Sequence, residues 1–126
     1  MKKILIVIAD YYEDISSSLL KSAKNNLNDF SLKKIRVPGV FEIPITISKN
    51  IKKYDAFIAL GCVIKGETPH FDFISSASTQ AIMNLSVSSK KPIGNGIITC
   101  LNMKQAKARG RKGKEAAKAV ISVLSQ

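Results

Sequence analysis

The sequence predicts an α/β fold of three layers, a four-stranded parallel sheet flanked by helices. Three observations carry that expectation. Four apolar runs rich in β-branched residues read as strands, the longest of them buried on both faces. Amphipathic stretches at helical spacing separate the runs. The two kinds alternate along the whole chain, the pattern of strand–helix units joined by right-handed crossovers. With 126 residues, 45% of them hydrophobic, the chain suffices for one well-buried core, and residues 1–126 read as a single domain.

The first run, Lys3 to Ala9 (KILIVIA), is almost unbroken aliphatic, and Asp10 to Asp14 then turns the chain. Asp14 stands where it could cap the next helix. There Leu19, Leu20, Ala23 and Leu27 recur at helical spacing, leaving Lys21, Lys24 and Asn25 for solvent. Ser31 to Val37 alternates through Leu32, Ile35 and Val37 as a shorter strand, closed by Pro38 and Gly39. Ile43, Ile47 and Ile51 mark a second helix, with Pro44 in its first turn, where a missing N–H is harmless. Ala56 to Ile64 (AFIALGCVI) is the most apolar strand, and residues 70 to 87 give a long helix through Phe71, Ile74, Ala81, Ile82 and Leu85. Ile93 to Cys100 is a fourth strand. Ala116, Ala117, Val120, Ile121 and Leu124 form a last helix against the sheet.

No apolar run reaches the ~18 residues of a membrane-spanning helix, and MKKILIVIAD meets turn residues too early for a cleaved signal peptide. A cytoplasmic protein without a membrane partner is expected. Cys62 and Cys100 have no Cys or His neighbour at metal-ligand spacing, so they read as reduced thiols rather than a disulfide or a metal site, with Cys62 in the core. The net charge is +11, and its excess lies near the C-terminus. From Lys104 to Lys118, KQAKARGRKGKEAAK carries seven cations against one carboxylate, Glu115. Charge alone leaves nucleic acid, an anionic metabolite and plain solubility all open.

In an open parallel sheet, ligands bind outside the carboxyl ends of the strands. That directs attention to DYYED, PGVFEIP, KGETPH and TCLNMKQ. In KGETPH, Gly66 admits close backbone approach, Thr68 offers a hydroxyl, Lys65 a charge, and the following helix start presents free N–H groups, a combination suited to an anion. Glu67 and Thr68 stand where a P-loop needs Lys and Ser/Thr, and GNGIIT lacks the third glycine of a dinucleotide fingerprint. His70, the only histidine, falls in the first helical turn, where the dipole favours a neutral imidazole able to accept a proton. Read singly it is either a general base or a solvated capping residue. Phe41 and Glu42 offer an aromatic face and a carboxylate acceptor, or equally a core ring and a solvated charge. Tyr11 and Tyr12 could wall a flat heterocycle. Arg109, in the basic run, could hold an anion by its guanidinium fork, or lie on a solvated helix face.

Together, VPGVFEIP, ALGCVIKGETPHFDF and GIIT followed by KQAKAR resemble the signature segments of the 6,7-dimethyl-8-ribityllumazine synthase family of riboflavin biosynthesis. The resemblance runs through nearly the whole chain in order. It implies a flavodoxin-like fold and the condensation of 5-amino-6-(D-ribitylamino)uracil with 3,4-dihydroxy-2-butanone 4-phosphate, without metal or redox cofactor. It also implies His70 as the proton-transfer residue, Glu67 and Thr68 in the phosphate-binding turn, and Arg109 as the phosphate clamp. Phe41 and Glu42 would hold the ribityl chain and ring edge, Tyr11 would stack on the pyrimidine, and Val63 and Ile64 would line the pocket. Val40, Cys62, Asn95 and Lys112 complete the substrate-binding set implied. As partners, the resemblance implies small-molecule substrates and further copies of the chain, in a pentamer or an assembly of pentamers with active sites between subunits, and no nucleic acid.

The chain departs from that pattern at several positions. Asn95 precedes Gly96 where the family usually supplies an aromatic residue to the neighbouring subunit's site. Lys65 replaces the usual loop arginine, keeping the charge without the fork. The segment from Arg109 to Lys112 is shorter than the family's, which leaves Arg111 and Lys114 as alternatives to Lys112. A binding module that uses the basic run for RNA is the competing reading, separable because its affinity would fall steeply with salt and would not depend on His70.

Overall fold

The computed structural model describes residues 1–126. Strands β1 (Lys3–Ala9), β2 (Ser31–Val37), β3 (Ala56–Ile64) and β4 (Ile93–Cys100) form one sheet in the order β2-β1-β3-β4, with every pairing parallel. These are the four runs read as strands from the sequence. Ile8 stands beside Arg36 on one side and Leu60 on the other, so β1 is central and buried by both neighbours. From β1 the sheet grows one way to β2 and the other way through β3 to β4. That reversal of winding leaves a crevice outside the carboxyl ends of β1 and β3.

Helices α1 (Glu13–Lys24) and α5 (Lys112–Leu124) cover one face, where Leu19, Ala23, Ala117 and Val120 pack on Ile4, Ile6, Ile8, Ile58 and Leu60. Helices α2 (Ile43–Lys49) and α3 (His70–Ser89) cover the other, where Ile43, Ile47 and Ile82 meet Leu5, Val7, Phe57 and Ala59. Alternate residues of β1 therefore enter opposite cores, which is why KILIVIA carries no polar residue after Lys3. No helix is long and apolar enough to cross a membrane.

The structure corrects several local expectations. Asp14 does not cap α1: the helix begins at Glu13, Tyr12 holds the capping position without a side-chain bond, and Asp14 lies inside the first turn. There its charge faces the positive end of the helix dipole. Leu27 and Ile51 lie beyond the ends of α1 and α2, although Leu27 is buried in the core. Two short elements were not foreseen: a 3-10 turn at Val40–Glu42, and α4 (Met103–Lys107), capped by Asn102 Oδ1 accepting from the Gln105 amide at 2.9 Å. Neither is long enough to repeat a helical period, so pattern reading had nothing to count.

Candidate active site

Outside the carboxyl ends of β1 and β3 lies a cavity of about 660 Å³. Tyr11, Val40, Phe41, Glu42, Cys62, Val63, Ile64, Thr68 and His70 all line it. Four separate chain segments thus converge where the sheet topology opens its crevice.

Each segment is held by identifiable contacts. The Asp10 amide donates to Val37 O at 3.0 Å, which closes the end of β1 onto β2 just before the two tyrosines. Tyr11 and Tyr12 meet edge to face with centroids 4.9 Å apart. Tyr12 also packs against the α1/α5 core, while Tyr11 is exposed. Burial, with Tyr11 and Cys62 adding to it, raises the Tyr12 phenol above its ordinary range, so at neutral pH it remains a hydrogen-bond donor. The 3-10 turn Val40–Glu42 buries Val40 and leaves Phe41 exposed at the cavity. Thr46 Oγ1 donates to Glu42 O at 2.8 Å and fixes that turn to α2.

At the end of β3, Cys62 is buried and its thiol is pushed up to about 12, chiefly by desolvation and further by Cys100. It is a neutral wall of the cavity at neutral pH, since only a thiolate is nucleophilic. The Lys65 amide donates to Cys100 O at 2.9 Å and ties the following loop to the end of β4. That loop delivers His70 as the first residue of the 20-residue helix α3, exposed at the cavity, with Thr68 Oγ1 3.4 Å from its amide. The positive end of a long helix there suits an anionic ligand.

The remaining residues singled out in the sequence are elsewhere. A second cavity of about 470 Å³ lies along the outer edge of β4, lined by Asn95, Thr99, Arg109, Arg111, Lys112 and Glu115 among others. Three cations there face one carboxylate, an environment for an anion. Asn95 Oδ1 accepts from the Ile97 amide at 3.0 Å, so the side chain lies back along its own strand. Glu67 is exposed and lines neither cavity. One chain therefore gathers the aromatic, carboxylate and imidazole groups in one place and the guanidinium and ammonium groups in another. No three His, Cys, Asp or Glu side chains converge.

Phe71, Phe73 and Ile74 also line the first cavity, and Tyr12 joins them. Phe71 and Ile74 read from the sequence as part of a helical core stripe, and the spacing of a stripe does not say whether it faces a core or a cavity. Tyr12 had a signal, its place beside Tyr11 in the first loop.

Comparison with known proteins bears on the whole arrangement. The family model described as 6,7-dimethyl-8-ribityllumazine synthase matches residues 1–126. Proteins of that name are similar to this chain along most of their length. The one from Rhodopseudomonas palustris (strain BisA53) is 43% identical, covering 95% of this chain and 82% of its own. That of Methylorubrum populi is 42% identical, covering 98% and 81%. That of Agrobacterium fabrum is 43% identical, covering 96% and 91%.

Proposed function

The chain belongs to the 6,7-dimethyl-8-ribityllumazine synthase family of transferases in riboflavin biosynthesis, and from that premise we propose that it catalyses the family's condensation. As a single cytoplasmic domain spanning residues 1–126, it joins 5-amino-6-(D-ribitylamino)uracil to 3,4-dihydroxy-2-butanone 4-phosphate, releasing phosphate and water. The observation that carries the reading is the cavity beyond β1 and β3. It combines aromatic surfaces from Tyr11 and Phe41, a carboxylate from Glu42 and the imidazole of His70.

In this reading the pyrimidine lies against Tyr11 and Phe41, and Glu42 accepts hydrogen bonds from ribityl hydroxyls or the ring edge. Val40, Cys62, Val63 and Ile64 form an apolar wall that limits water at the reacting carbons. The pyrimidine amine attacks the ketone carbon, and the carbinolamine loses water to a Schiff base. His70 accepts the carbon-bound proton whose removal expels phosphate and returns a proton as the resulting enol becomes a ketone, on which the ribitylamino nitrogen closes the ring with loss of a second water. The Thr68 hydroxyl and the backbone amides of the turn through Glu67 cradle the phosphate beside the start of α3, with the Glu67 side chain outside the cavity.

A phosphate clamp is missing from that half. Arg109 and Lys112 of the same chain line the other cavity, with Asn95, so the clamp is assigned to a second copy that lays its β4 edge against the first copy's cavity. Exposed apolar side chains support such packing: Phe41, Ile45, Phe73, Met83 and Val87 are all more than half exposed. Copies that pass one half-site to the next in a ring form a closed heterologous assembly, and a homopentamer or an assembly of pentamers is proposed. Replacing an aromatic wall by Asn95 leaves the pyrimidine with less stacking surface and weaker binding.

The experiment is the absorbance of the lumazine product when purified protein meets both substrates, corrected for their spontaneous condensation. Acceleration that Arg109→Ala abolishes at limiting butanone phosphate supports the assignment. A folded oligomer that gives no acceleration overturns it and brings the nucleic-acid reading forward.

A further inference from the structure

The cation-bearing turn between α4 and α5 is held by a residue of α1. Ser22 Oγ donates to Gly110 O at 2.6 Å and accepts from the Lys114 amide at 3.1 Å. Leu19 O, 3.1 Å away, is its alternative acceptor within α1. Gly110 directly follows Arg109, and Lys114 comes two residues after Lys112. One hydroxyl thus brackets both cations.

The arrangement answers a local need. Helix α5 begins at Lys112 behind Arg111, which makes no side-chain capping bond. The first amides of a helix have no partner within it. Ser22 supplies one to Lys114 from another helix, as a cap normally would from the preceding residue. The backbone also lies directly on α1: a Cβ on Gly110 would meet Ser18 Oγ, and one on Gly113 would meet Leu19 O and Ser22 Oγ. The turn itself is short, closed by the Lys112 amide on Arg109 O at 3.0 Å. Its own bonds, with the Arg109 amide on Ala106 O and the Gly113 amide on Gly110 O, close it locally, whereas the bonds of Ser22 set its height on α1.

We infer that Ser22 is a positioning residue for the anion site, holding the Arg109–Lys112 turn at the height on α1 where its cations meet a phosphoryl group. The inference rests on the proposed role of Arg109 and deepens it. Helix α1 starts beside the aromatic cavity at Tyr12 and meets this turn along Ser18, Leu19 and Ser22. It therefore couples the half-site a chain keeps to the half-site it gives away. Geometry matters here because a guanidinium fork holds phosphate through two parallel bonds, which a displacement of about 1 Å disrupts.

The test compares wild-type, Ser22→Ala, Arg109→Ala and the double variant by steady-state kinetics with each substrate varied in turn. Ser22→Ala should raise KM for butanone phosphate by about 3- to 10-fold, the worth of one or two intramolecular hydrogen bonds, and leave kcat and the pyrimidine KM near wild type. On the Arg109→Ala background it should add little, since the guanidinium fork that depends on exact placement is gone and only the Lys112 charge remains. Ser22→Cys keeps the volume with a weaker donor, and should fall between wild type and Ser22→Ala. It also serves as the reporter if the alanine variant does not fold. An unchanged phosphate-substrate KM in Ser22→Ala, while Arg109→Ala raises it, overturns the Ser22 inference alone. An Arg109→Ala enzyme with normal KM overturns the clamp beneath it. Equal losses on both backgrounds, together with a lower melting temperature, assign Ser22 a general structural role and also overturn the inference.

Discussion

Arg36 Nη1 donates to Asp10 Oδ1 at 2.7 Å, joining the carboxyl ends of β2 and β1 one residue before Tyr11. Both side chains are a third or more exposed, 45% and 33%, so screening by water keeps the pair weak. Arg36→Ala should cost less than about 1 kcal/mol of stability in urea titrations. Its effect belongs to the tyrosine loop: KM for the pyrimidine should rise by at most about fivefold, and high salt should erase the difference. A rise in the butanone phosphate KM instead would detach the pair from the aromatic wall.

His70→Ala should lower kcat by on the order of 10²-fold, the lower range for losing a positioned acid–base group. KM for butanone phosphate should change little, because in the proposed reaction the imidazole acts on protons rather than on the phosphate. Arg109→Ala should show the opposite split. Full steady-state curves in both substrates separate the two patterns.

Mixing these two variants tests whether sites are shared. If a site takes His70 from one copy and Arg109 from its neighbour, randomly mixed oligomers made from equal amounts contain intact sites. These should recover about one quarter of the wild-type activity. Were both residues supplied by the same chain, no intact site would form and mixing would recover nothing.

Alkaline stability should depend on Cys62. Its folded thiol is pushed up to about 12, whereas an exposed thiol in the unfolded chain titrates near 8.5. Between those values the unfolded state has released its proton and the folded state has kept it. Unfolding is therefore increasingly favoured as pH rises through that window, and the loss is complete above the folded value. Urea midpoints followed from neutral pH to about pH 11 should fall less steeply in Cys62→Ala than in wild type. Parallel curves for the two proteins would remove Cys62 as the cause.

Gly94 marks where β4 and α5 come closest. A Cβ there would run into Ala116 O and stand 2.9 Å from Val120 Cγ2. Backbone oxygen cannot rotate away, so Gly94→Ala should destabilise the fold by about 1–3 kcal/mol, as overpacked cores do. Gly66, with nothing within 4 Å of an added Cβ, provides the comparison: Gly66→Ala should stay within about 0.5 kcal/mol of wild type. Thermal melts of the two variants read both outcomes.

The four strands were legible in the sequence with their observed bounds for different reasons: β1 and β3 are dense apolar runs buried on both faces, whereas β2 and β4 are mixed runs, only partly buried, that turn residues set off from their neighbours. The segments at the site were legible as chemistry, since GETPH and PGVFEIP carry groups that plain turns do not need. Short elements were not: Val40–Glu42 and Met103–Lys107 are set by contacts at their ends, such as Asn102 on Gln105, rather than by periodicity.

What the sequence by itself determined is therefore the sheet, its covering helices and which aromatic and ionisable groups stand in the loops at the strand ends, all consequences of local patterning and side-chain chemistry. Which of those groups meet was decided only by tertiary structure. His70, Tyr11, Phe41 and Glu42 share one cavity because the order β2-β1-β3-β4 brings the ends of β1 and β3 together. Arg109 and Lys112 lie apart because β4 is an edge strand and their turn is docked on α1 by Ser22. Contacts between residues 88 and 92 positions apart, such as those of Ser22, arise from packing after the chain has folded back on itself, and no local pattern along the sequence encodes them.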